Sequence, residues 1–264
     1  TPFAAPLLAH ADTPICLFSG SKAITAMLIH KLAEQGQLAL DDLVTKYLPD
    51  YGAHGKGQTH IYDLLTHKAG LPMMPAEHAH PEVMFDFNEV VRVLCAAEPD
   101  HRPKSRQAYH AVTAGYLLGA IAEKASGQSL PELLKTLLAD PLGCQSFSYG
   151  VPEAARASIA LSHSTGPRNL LPLNFFIERM LGLPEPTITA AINTPEGLNA
   201  VVPAANIYAS AEEACRFYQM LLDGGVWNGQ RLFNADTVAL ATRRRALRFD
   251  GSANAPIRFS PAFM

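Results

Sequence analysis

Apolar residues recur at Ile24, Met27, Leu28 and Leu32, a three-and-four spacing that predicts a helix over 23–34 with one buried face. The stretch Leu17-Phe18-Ser19-Gly20-Ser21-Lys22 opens that helix, and Gly36 supplies a C-terminal stop. The short apolar run 15–18 delivers the chain to it. A brief helical turn is expected over 38–48. A helix over 60–67 follows, with Thr59 as its expected cap, stopped by Gly70-Leu71-Pro72. Residues 73–82 read as loop. Phe87, Val90, Val91 and Leu94 mark one face of a helix over 87–97. A strongly apolar helix is expected over 112–125, closed by Gly127, and another over 130–138 with Pro131 in its first turn. Residues 141–200 are rich in Pro and Gly and weakly periodic. Ser210 and Glu213 form a capping-box pattern before a helix over 210–222 that Gly224-Gly225 ends. A last helix is expected over 235–244. Helices dominate and strand signals are few.

Composition narrows the class. The 264 residues are enough for one large domain or two lobes sharing a core. With 48% hydrophobic and 17% charged residues the chain reads as globular. A net charge of −3 argues against a nucleic-acid footprint, and the basic run Arg243-Arg244-Arg245 with Arg248 reads as a helix C-terminus. No apolar run approaches the length of a membrane span, and no signal-peptide pattern opens the chain, which leaves a cytoplasmic or a periplasmic location open. Cys16, Cys95, Cys144 and Cys215 are widely spaced and read as buried free thiols rather than a metal cluster.

Candidate chemistry starts at Ser19 and Lys22. Three residues apart on a first helical turn, their side chains lean toward one face. A hydroxyl then sits beside an amine, and a desolvated lysine can act as the base that a serine nucleophile needs. Spacing alone favours a plainer reading, a serine N-cap and a solvated lysine. His78 and His80, with Glu77 and His67 nearby in sequence, fall short of a zinc pattern, so no metal is expected. Ser19 lies in no G-x-S-x-G elbow, which counts against a Ser-His-Asp hydrolase.

Five segments, in order, change the balance. They are Phe18-Ser19-Gly20-Ser21-Lys22; Gly36-Gln37-Leu38-Ala39-Leu40-Asp41-Asp42; Leu64-Leu65-Thr66-His67-Lys68-Ala69-Gly70-Leu71; Tyr109 with Gly115-Tyr116-Leu117-Leu118-Gly119; and Ala209 to Glu213 through Leu221 to Gly225. Together they resemble the serine β-lactamase, penicillin-binding protein and family VIII esterase superfamily, on its class C-like branch. The resemblance implies an α/β (α+β type) fold, with an antiparallel sheet flanked by helices and a mostly helical lobe. The α/β lobe would take residues 1–60 and 200–264, the helical lobe 61–199, and the site would lie between them. It also implies catalytic roles. Ser19 would be the acylated nucleophile, Lys22 would help deprotonate it, and Tyr109 would relay protons. Outside that context Tyr109 reads as a packed aromatic.

Two departures bear on function. The third residue of the Tyr-x-Asn element is Ala111, which cannot donate to a β-lactam amide and so favours an esterase. The family's Lys-Thr-Gly or His-x-Gly motif does not occur before Met264, so residues 1–264 read as part of a longer polypeptide. The expected function is a serine hydrolase without cofactor, most simply a carboxylesterase on small or medium acyl esters. Leu173, Phe175, Phe176 and Met180 are candidates either for its pocket or for the core. The alternatives are a β-lactamase or D-Ala-D-Ala peptidase, or a non-catalytic homologue that binds a peptide or cell-wall fragment. The expected partner is a small-molecule ester or amide, with no nucleic acid and no membrane span; oligomeric state is left open.

Overall fold

A computed structural model describes residues 8–165, 178 and 182–263. Leu173, Phe175, Phe176 and Met180 lie outside the described residues.

Strand β1 (Ile15–Cys16) leads into a 3-10 turn (Phe18–Gly20) and then helix α1 (Ser21–Glu34). The expected helix therefore starts one turn early, as a tighter coil that holds Ser19 at its mouth. Leu28, Ile29 and Leu32 are fully buried, and Gly36 ends the helix at φ +72°. Helix α2 (Ile61–Leu65) is capped at His60, not at Thr59: the Asp63 carboxylate accepts from the His60 N–H at 2.9 Å. Thr59 is instead fully buried. The expected loop over 73–82 contains a 3-10 turn (Ala76–His78) and the start of α3 (Pro81–Met84). His80 pairs with Glu82 on the exposed surface, away from any ligand cluster.

Helix α4 (Phe87–Ala96) is capped by Asp86, which accepts from the Glu89 N–H. Helix α5 (Thr113–Ser126) ends at Gly127 in the left-handed conformation and packs against α1. Helix α6 (Leu130–Leu134) continues through a π-helical stretch (Lys135–Ala139) into α7 (Asp140–Leu142). The weakly periodic region holds β2 (Ser148–Tyr149), α8 (Glu185–Ile192) and α9 (Pro195–Asn199). Strand β3 (Ile207–Ala209) then precedes α10 (Ala211–Leu222). The Ser210–Glu213 capping box forms, and the Glu213 carboxylate also accepts from Gln145 and Ser146, which ties α10 to the approach to β2.

β3 is the centre of a three-stranded antiparallel sheet of order β1-β3-β2. Ile15 faces Ala209 on one side, and Tyr149 faces Ile207 on the other. Two hairpins complete the strands. β4 (Val226–Trp227) and β5 (Gln230–Arg231) turn through Asn228-Gly229, both at positive φ, and β6 (Arg248–Asp250) pairs with β7 (Ala255–Ile257). The basic run lies just past α11 (Ala235–Thr242), where the Arg245 guanidinium stacks on the Tyr62 ring at 4.9 Å. Cys16, Cys95 and Cys144 are buried free thiols, whereas Cys215 is exposed. Among the described residues, no helix is long and apolar enough to cross a membrane.

Candidate active site

The turn that carries Ser19 is fastened at both ends to one residue of β3. The Ile207 carbonyl accepts from the Leu17 N–H at 2.8 Å, and the Ile207 N–H donates to the Ser21 hydroxyl at 3.0 Å. Ser21 is fully buried, so its hydroxyl is a strut and not a reactant. Between these anchors Phe18 takes φ +44°, a left-handed conformation that costs a bulky residue roughly 1–3 kcal/mol. The sheet holds the chain in that strained turn, and Ser19 is left exposed at the opening of α1.

Lys22 reaches back one turn. Its ammonium nitrogen lies 3.1 Å from Ser19 Oγ and donates to the Ala204 carbonyl at 3.0 Å. Burial lowers its pKa from 10.5 to about 7.

Ala204 is held close by α5. Gly115 sits so near that a Cβ there would lie 2.7 Å from the Ala204 Cβ, so only glycine allows the approach. Thr25 of α1 donates to the neighbouring Pro203 carbonyl at 2.6 Å.

Tyr109 comes from a distant segment, yet its hydroxyl donates to Ser19 Oγ at 3.0 Å, and its ring lies 5.1 Å from Lys22 Nζ. Burial raises the phenol's pKa, an effect the hydrogen bond to Ser19 only partly offsets. The segment is clamped by residues that follow α2. The His67 carbonyl accepts from the Ala108 N–H at 3.0 Å, and His67 Nδ1 accepts from the His110 N–H at 3.1 Å. His110 in turn hydrogen-bonds the Ala108 carbonyl through Nδ1 and accepts from the Leu71 N–H through Nε2. The rings of His67 and Phe259 pack against Tyr109 and against each other. Desolvation holds His67 well below the usual imidazole value and His110 at about 4, so both are neutral around pH 7.

Ser19, Lys22, His67, Tyr109 and His110 line one cavity together with Tyr218 and Phe263. The sequence pairing of Ser19 with Lys22 and the more distant Tyr109 are thus brought together at one hydroxyl. The two histidines were missed. Their only sequence signal is that each falls inside or beside a segment of the resemblance, since an isolated histidine otherwise reads as packing. Among the described residues no group of three or more His, Cys, Asp or Glu converges as a metal site would require.

A serine, a desolvated lysine and a tyrosine at a helix mouth, set beside an antiparallel sheet, define the β-lactamase-like class of fold. Residues 3–264 match the family described as Beta-lactamase, and the chain belongs to that family. It is 30% identical over 262 residues to the esterase/beta-lactamase LipL of Mycobacterium tuberculosis, covering 94% of this chain and 60% of that protein. The chain therefore spans less than two thirds of that relative's length. A family VIII carboxylesterase of known structure superimposes with a TM-score of 0.83 at 26% identity, covering 96% of this chain and 67% of the other. A penicillin-binding protein homologue from Caulobacter crescentus superimposes with a TM-score of 0.79 at 27% identity, covering 99% and 69%.

Proposed function

We propose that this chain carries the acylating site of a serine hydrolase, acting as a carboxylesterase on small or medium acyl esters. The observation that carries the reading is the single hydroxyl of Ser19, shared by Lys22 Nζ at 3.1 Å and Tyr109 OH at 3.0 Å, with the lysine's pKa at about 7. Near neutral pH a large fraction of Lys22 is free amine, able to take the proton of Ser19 as Oγ attacks the ester carbonyl carbon. Tyr109, whose pKa is raised, stays a phenol and is the acid of the pair. It gives its proton to the departing alkoxide, and the proton that Lys22 removed from Ser19 passes to the tyrosinate in its place. The alcohol leaves, and lysine and tyrosine are neutral again. In the second half a water loses its proton to the same pair, attacks the acyl carbon, and the proton returns to Ser19 Oγ. The opening of α1 suits the oxyanion, because the positive end of the helix dipole lies there.

Ala111 favours esters over β-lactams, since a methyl group cannot hydrogen-bond an acylamido side chain. The family VIII neighbour, a carboxylesterase by name, supports the same choice, whereas LipL is named both esterase and beta-lactamase. The test is covalent: the intact protein is treated with a fluorophosphonate and the adduct located by peptide mass spectrometry, beside rates on p-nitrophenyl esters and nitrocefin. An adduct on Ser19, lost in Ser19→Ala, with esters turned over faster than nitrocefin, is the expected result. A protein that hydrolyses esters without modification at Ser19 would sink the reading.

A further inference from the structure

A second cavity, of about 350 Å³, lies beyond the tyrosine segment. Consecutive residues of the tyrosine segment line the two cavities. Tyr109 and His110 line the first, and the next residue, Ala111, lines the second. On the opposite side the Ala204 carbonyl holds Lys22, and the next residue, Ala205, lines the second cavity. The remaining wall is hydrocarbon and thioether, with Met74, Met84, Phe85 and Ile188 prominent.

Among its described lining residues there is no charged side chain, and Asn206 is the one with a polar side chain. That amide is already engaged at both ends. Its Nδ2 donates to the Ala200 carbonyl at 2.6 Å, and its Oδ1 accepts from the Val202 N–H at 2.8 Å. A ligand with an amide or hydroxyl in this space would leave those groups without a side-chain partner, a cost of about 1–3 kcal/mol for each buried group. A plain hydrocarbon incurs no such cost, and methionines adjust to its shape.

We propose that this cavity receives the acyl chain of the ester, as an unsubstituted hydrocarbon of medium length, and that it discriminates against acylamido groups. The inference rests on the acylating role of Ser19. The acyl carbonyl sits at Ser19, the chain passes Ala111, and its methylenes leave water between Met84 and Ile188.

The experiment measures kcat/KM of the intact protein on p-nitrophenyl esters from acetate to dodecanoate, with fluorophosphonate labelling of Ser19 alongside. Values are expected to rise by up to about fourfold per methylene, then level once the cavity is full. Ile188→Trp fills the cavity from α8 and should lower the octanoate-to-acetate ratio at least tenfold. Met84→Ala enlarges it and should move the levelling point to longer chains, a second reading if the tryptophan variant folds poorly. Labelled Ser19 with a flat chain-length series, or with a series that neither variant moves, overturns the cavity assignment and leaves the serine's role standing. Absence of any label overturns that role and this inference with it.

Discussion

Replacing Lys22 by Met should inactivate the protein and stabilise it at neutral pH. The lysine's pKa falls from 10.5 in water to about 7 in the fold, through burial. Each pKa unit is worth about 1.4 kcal/mol, so the native state bears a cost of up to about 4–5 kcal/mol from this one amine. The sign follows from where the proton is bound. Above pH 10.5 the amine is neutral in both states and costs nothing. As pH falls toward 7 the unfolded chain takes up a proton that the native state refuses, so stability is lost. Below about 7 both states are protonated and the loss stays constant. Methionine removes the amine and keeps an unbranched side chain of similar reach. It also forfeits the hydrogen bonds to Ser19 and to the buried Ala204 carbonyl, about 1 kcal/mol each. The net gain at pH 6–7 is then up to about 2–3 kcal/mol, or roughly 5–10 °C in Tm for a chain of this size. At pH 9 the remaining cost of the amine is only about 2 kcal/mol, so the advantage should vanish there and reverse above it. Thermal unfolding of both proteins from pH 6 to 10 reads the difference directly. If the two Tm curves run parallel across that range, the buried-amine account is wrong. Ester turnover by the variant should fall at least about a hundredfold at every pH.

The pH–rate profile of the wild type should show one ascending limb, with kcat/KM rising as pH passes about 7 and Lys22 loses its proton. Because Tyr109 holds its proton above the usual phenol value, a descending limb below pH 9 would contradict its role as the acid. Tyr109→Phe removes that proton while keeping the ring against His67 and Phe259, and should lower turnover on the order of a hundredfold; circular dichroism checks that the fold is retained. Gly115→Ala places a Cβ 2.7 Å from that of Ala204 and should cost about 1–3 kcal/mol in denaturant unfolding. It should also lower turnover, by displacing the carbonyl that holds Lys22.

The longer helices were legible because they carry their own signal over several turns, whereas α3, α8 and α9 fell in stretches read as loop or as weakly periodic. Residues 87–97 show an apolar stripe and residues 210–222 a capping box and a glycine stop, and the structure places α4 and α10 within a residue or two of them. The sheet was not legible, because its strands are two or three residues long and too short to show alternation. Ile207 fastens the Ser19 turn at both ends, yet nothing local distinguishes it from any other buried isoleucine. The meeting of Ser19 and Lys22 follows from helical spacing. Tyr109 sits 90 residues from Ser19, and only the resemblance pointed to it. His67 and His110 were invisible because their work is done through backbone groups, as acceptors of the His110 and Leu71 N–H. Thr59 failed as a cap because the site one residue later, at His60, closes a reciprocal pattern with Asp63.

Burial explains how one enclosure assigns opposite protonation to two neighbours. Burial disfavours charge, so it drives the lysine toward free amine and the tyrosine toward phenol at once. Had either imidazole been charged, it would have repelled the Lys22 ammonium and favoured a tyrosinate, leaving a charged base in place of a neutral acid. Instead burial keeps each imidazole neutral, and each then accepts a hydrogen bond at a bare ring nitrogen: His67 Nδ1 from the His110 N–H, and His110 Nε2 from the Leu71 N–H. The same burial therefore keeps positive charge on the histidines out of the surroundings of Tyr109. A proton can then travel between Lys22, Ser19 and Tyr109 without first being trapped on a stronger base nearby, because both histidines hold protons less tightly than the lysine does. The histidines thus hold the tyrosine at the serine, while burial of the phenol itself keeps it protonated, as the proposed role of Tyr109 as an acid requires.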